Sequence, residues 1–146
     1  MGNDSSNIEA IVEDAKNSIK SQLKRRSYLA SLELYNSSQI ILRGKRIGRT
    51  YRVPNTAQYY TASAPGEPPA TRTGVFRMSW QPVSYMDGDT FHSEIQNKTK
   101  VHGKSYLLGE ILENGRRHMA PRPYRQKIQE HARWKIMKIY ERPYHS

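Results

Sequence analysis

The chain has 146 residues, of which 36% are apolar, a formal charge of +11 and no cysteine. Disulfides and thiolate metal sites are therefore excluded. No apolar run approaches the ~20 residues of a membrane-spanning helix, and the start carries no signal-peptide pattern, so no membrane partner is expected. The length fits one domain with an arm, and the low apolar share predicts a modest core with part of its stability supplied by a partner.

The first element is a helix. Ser6-Asn7-Ile8-Glu9 has the spacing of a capping box, and Asp4, Glu9, Glu13 and Asp14 complement the positive end of the helix dipole. Ile8, Ile11, Val12, Ala15, Ile19, Leu23, Ala30, Leu34 and Ile41 follow helical spacing, with Arg43 in the last turn and Gly44 as a left-handed terminator. A helix of about 37 residues is roughly 55 Å long, more than the width of so small a domain. It therefore either breaks near 24–27, where the apolar stripe lapses, or packs in part on another subunit. Tyr28, Leu32 and Tyr35 lie off the stripe, facing a second surface or widening the buried one. Met1-Gly2-Asn3-Asp4-Ser5-Ser6 matches the short myristoylation pattern, for which chance is the better explanation.

Residues 45–62 have no clean period and permit a short strand, in which Arg46, Arg49 and Arg52 alternate loosely with Ile47, Tyr51 and Val53. Tyr59-Tyr60 precede Ser63–Gly74, which holds Pro65-Gly66 and Pro68-Pro69. The prolines fix φ and remove donors, so this stretch reads as a stiff, extended arm suited to docking, with Thr73-Gly74 as its hinge. Strands follow near 79–86 and 90–98, joined at Asp87-Gly88 by a type I′ turn, with Pro82 marking an edge. Lys104–Asn114 suits a short helix closed by Gly115. Pro123 opens a last helix at its first position, on the stripe Tyr124, Ile128, Ala132, Ile136 and Ile139, and Pro143 marks its end. The chain thus divides into a helix to residue 44, an arm over 45–73, a sheet with helices over 74–140 and a short tail.

The excess charge is localised. Residues 35–86 carry seven bases against Glu67, and 114–146 carry nine against Glu130 and Glu141, whereas 1–34 are balanced at five and five. Two basic segments favour an anionic partner, protein or nucleic acid. The five histidines are scattered, and no zinc-protease, phosphate-loop, dinucleotide-binding or serine-hydrolase motif is present. No cofactor is expected and an enzyme is disfavoured. Glu110 and Glu113, neighbours on a helix, are the one carboxylate pair that a hydrolase could use.

Ser63–Ala70 followed by Thr73-Gly74-Val75-Phe76-Arg77-Met78-Ser79 resembles the tail-completion, or head–tail joining, proteins of long-tailed bacteriophages and prophages. Tyr106, Glu110 and Glu113-Asn114-Gly115 are similar to that family's Tyr-to-Glu-x-Gly stretch, and Met119-Ala120-Pro121-Arg122-Pro123-Tyr124 to its Ala-x-Pro lead into the last helix. The likeness covers roughly residues 60–140. It implies an α+β subunit in which a long N-terminal helix and a C-terminal helix pack on a small antiparallel sheet, with a long Pro/Gly-rich arm. It also implies a structural virion protein without enzymatic activity. This would be a neck subunit, made in the host cytoplasm and assembled into a ring of six copies between the portal-side connector and the tail tube or its terminator protein.

On this reading the arm lies across an adjacent subunit or the connector, through Arg46, Arg49, Arg52, Tyr59, Tyr60, Pro65, Pro68, Pro69 and Arg72. Arg116, Arg117 and Arg122 then meet acidic groups on a partner, or DNA phosphates in the channel. The alternative is a basic nucleic-acid-binding module in which Tyr51, Tyr59, Tyr60, Tyr124 and Trp134 stack on bases. Against it, no helix-turn-helix, zinc-finger or RNA-binding signature is found.

Overall fold

A computed structural model of the chain describes residues 3–72 and 74–145, with the side chains of Asn3 and Asp4 left aside. The fold is α+β. Helix α1 (Asn3–Arg43) is followed by strands β1 (Thr50–Arg52) and β2 (Tyr59–Thr61) and a one-turn helix α2 (Val75–Met78). Strands β3 (Trp80–Asp87) and β4 (Thr90–Asn97) come next, then helices α3 (Leu108–Asn114) and α4 (Arg125–Glu141). Each strand pair is a separate antiparallel sheet. The second half of α1 packs on β3, β4 and α4.

Helix α1 is unbroken over 41 residues, about 60 Å at 1.5 Å per residue. It passes through 24–27 because polar contacts take over where the apolar stripe lapses. Ser27 is fully buried; its hydroxyl donates to the His92 carbonyl (3.1 Å), accepts from the Ser84 hydroxyl (2.8 Å) and lies 2.9 Å from that of Ser93. Arg26, also buried, donates to the carbonyls of Tyr140 (3.1 Å) and Pro143 (2.9 Å), capping the negative end of α4, and lies over the Tyr144 ring. Over 27–38 the buried face of α1 is therefore built of small residues. Ala30, Ser31, Ser37 and Ser38 let sheet and helix approach closely, and Ser37 reaches His131 of α4 at 2.9 Å.

The early stripe takes no part in this core. Ile8, Ile11 and Val12 are 62%, 67% and 51% exposed, and Tyr28 stands out as well. Because α1 already runs at Asn3, Ser6 lies inside the helix and not at its cap. Met1-Gly2 and the Thr73 half of the expected hinge lie outside the described residues.

At the other end of the molecule Leu42, Trp80, Tyr124 and Ile128 form the apolar centre, with Phe76 against it. Phe76, Trp80 and Tyr124 meet edge to face in a triangle, with centroids 5.6, 5.6 and 5.7 Å apart. Gly109 admits them: a Cβ there would stand 2.6 Å from the Tyr124 hydroxyl, which donates to the Gly109 carbonyl at 3.0 Å.

Boundaries shift by a few residues from those read in the sequence, and one turn changes type. Asp87 pairs with Thr90, so Gly88-Asp89 form the loop. Only Gly88 has a positive φ (58°), as a type II′ turn requires, in place of type I′. Helix α3 starts at Leu108, and Tyr124, not Pro123, flanks the start of α4.

Candidate interaction surface

Arg46 is where the arm departs most from expectation. A guanidinium has five N–H donors, and here backbone carbonyls take all five. Nε donates to Pro68 (2.7 Å), Nη1 to Gly44 (2.7 Å) and Lys45 (3.0 Å), and Nη2 to Ile41 (2.8 Å) and Pro69 (3.1 Å). The side chain thus caps α1 in place of a left-handed Gly44, helped by the Thr71 hydroxyl on the Leu42 carbonyl (2.8 Å). Burial lowers the Arg46 pKa, and the Glu67 charge partly restores it. Arg46 is thus a lock within the chain, with no donor left for a neighbour.

The proline stretch is correspondingly folded onto its own body. Glu67 Oε1 accepts the N–H groups of Ala64 (2.7 Å) and Ile47 (3.1 Å), which hold its pKa below the usual carboxylate value. The Gly66 N–H reaches the Pro121 carbonyl (3.2 Å), and Lys127 donates to the Gly66 carbonyl (2.8 Å). Pro69 is buried, Pro68 half-buried and Pro65 exposed at the turn. The expectation of an arm lying free for a neighbour is therefore corrected for 63–72: a segment with few backbone donors is held through its carbonyls by Arg46, Lys127 and Thr71.

What projects is the β1–β2 hairpin. Tyr51 pairs with Tyr60, their rings 5.9 Å apart, and Arg52 pairs with Tyr59. Tyr59 is 68% exposed, and Arg49 and Arg52 are exposed beside it. Gly48 allows the hairpin to close, since a Cβ there would meet the Ala62 carbonyl oxygen at 2.4 Å.

The structure brings Tyr60, Arg72 and Arg122 around one groove of about 750 Å³. Leu42, Phe76, Leu108 and Leu112 line it, together with Arg77 and His102 and, among the described residues, no carboxylate. Arg72 stands over the Tyr60 ring at 6.0 Å, and Arg122 donates to the Ser63 hydroxyl (2.9 Å). Arg116 lies apart, donating to the Tyr106 hydroxyl (2.9 Å) and stacked on that ring, while Arg117 is exposed in the same loop. The groove's apolar floor was not legible in the sequence, because Leu42, Phe76, Leu108 and Leu112 come from three separate segments that only the fold brings together.

The Glu110–Glu113 pair is engaged structurally. Glu113 Oε2 accepts the backbone N–H of Tyr124 (2.8 Å) and of Arg125 (3.2 Å), capping α4, and Glu110 forms an ion pair with Arg125. Among the described residues no group of three or more His, Asp and Glu is placed to hold a metal ion, and no helix is long and apolar enough to cross a membrane. Compared with known proteins, the chain matches no family model, no curated protein and no solved structure.

Proposed function

We propose that the protein is a structural subunit of the neck of a long-tailed phage or prophage, closing into a ring of six that completes the tail end and joins it to the head connector. The observation that carries this reading is the exposed apolar stripe on the first turns of α1. A helix of 41 residues holds its body at one end and leaves Ile8, Ile11 and Val12 in water at the other. Apolar surface of that kind is stable in a subunit whose neighbours cover it. The basic hairpin supplies a second outward surface toward the connector, the tail tube or terminator, or DNA in the channel. The motif order around the Thr-Gly element and the Ala-x-Pro lead supports the same assignment. The role has no catalytic step and calls for no cofactor.

Deleting the encoding gene from its phage or prophage tests the assignment. Separate filled heads and tails, rejoined on adding the purified protein, are the expected result; normal particles from the deletion strain exclude it. The exposed Tyr51, Tyr59, Arg49 and Arg52 favour one second reading, a nucleic-acid-binding module. That reading requires tight DNA binding with a steep decline in affinity as salt rises.

A further inference from the structure

The two unpartnered features of this chain complement each other. The first turns of α1 present Ile8, Ile11, Val12 and Ala15 at i, i+3, i+4 and i+7, the anchor spacing of a helix that lies in an apolar groove. Glu9, Glu13 and Asp14 flank this stripe and are exposed. The ion pairs among the described residues lie elsewhere, at Arg125–Glu110 and Lys135–Glu33, so these three carboxylates form no ion pair with any described residue. The groove has the opposite character: an apolar floor of Leu42, Phe76, Leu108 and Leu112 under Arg72 and Arg122.

The groove lies at the C-terminal end of the same helix, since Leu42 belongs to both. Ile11 and Leu42 are 31 residues apart on one unbroken helix, or about 46 Å at 1.5 Å per residue. Tip and groove therefore cannot meet within one molecule. We infer that the groove receives the acidic, apolar tip of α1 from a second copy of this chain. The contact is head to tail: each copy gives its tip to one neighbour and takes the tip of the other, so copies form a closed ring or an open chain according to the rotation between them. This deepens the neck-ring reading, on which closure of the contact rests. Charge complementarity sets its direction, because an acidic tip is repelled by another acidic tip and attracted by the basic rim.

The test uses two full-length variants whose changes lie on exposed residues. The tip variant carries Ile8→Asp and Ile11→Asp, and the groove variant carries Arg72→Glu and His102→Glu. Sedimentation measures their mass, with circular dichroism confirming the fold. The wild-type chain is expected to associate as concentration rises, while each variant stays at the 16.9 kDa of one chain. An equimolar mixture of the two regains one intact contact and is expected to stop at the dimer. A wild type that is monomeric up to ~1 mM, where even a contact of about 4 kcal/mol would register, overturns the inference. So does a variant that associates like the wild type, or a mixture that stays monomeric. A ring built through another surface keeps its mass in both variants, which removes this contact and leaves the neck assignment standing. Association as described here by a chain missing from particles removes only the neck assignment.

Discussion

Arg46 and Glu67 together hold the middle of this chain to its body, one by donating five hydrogen bonds and the other by accepting two. Backbone N–H groups from Ala64 and Ile47 lower the Glu67 pKa. A carboxylate whose folded pKa lies below its unfolded value contributes its stability above the ordinary range, and loses it as pH falls through the folded pKa. Protection of the Ile47 and Ala64 amides against hydrogen exchange should therefore drop selectively as pH falls below the ordinary Glu value of about 4.3. Arg46→Ala should expose the same amides at neutral pH while leaving the β3–β4 amides protected. Unchanged protection of Ile47 and Ala64 in both experiments contradicts the lock. Gly109 bears on the core in a different way: an alanine methyl at this position would stand only 2.6 Å from the Tyr124 hydroxyl, so Gly109→Ala must shift the aromatic triangle. A loss of about 1–3 kcal/mol in urea unfolding is expected, the usual cost of overpacking.

At the scale of elements, much of the secondary structure was legible because its causes are local. Helical spacing in α1 and α4, Gly88 in the β3–β4 turn and Gly115 at the end of α3 each act within a few residues. The arm was not legible, since its conformation is fixed across the chain by Arg46 on Pro68 and Pro69, Thr71 on Leu42 and Lys127 on Gly66. Proline content gave no address for the segment. The apolar stripe of α1 misled in a related way. Periodicity reports that a face is apolar, while burial depends on what lies opposite, and the buried face of 27–38 is mostly serine and alanine. Of the candidate interface residues, Arg49, Arg52, Tyr59 and Arg117 are exposed, and Tyr60, Arg72 and Arg122 share the groove. Arg46 and Pro69 are consumed in holding the fold.

For the whole molecule, the balance of surfaces matters more than any single group. Its core gathers around Leu42, Trp80, Tyr124 and Ile128 at one end, an acidic helix tip projects at the other, and a basic hairpin stands out beside the groove. In a chain of net charge +11 the acidic tip is the part best suited to seek a basic neighbour. The account rests on this chain being one member of a ring at the head–tail junction. A reconstruction of the intact particle by electron cryomicroscopy, with density at the junction fitted by this fold, measures that directly. The account predicts six copies around the channel between connector and tail; a particle that lacks the chain, or holds it away from the junction, contradicts it.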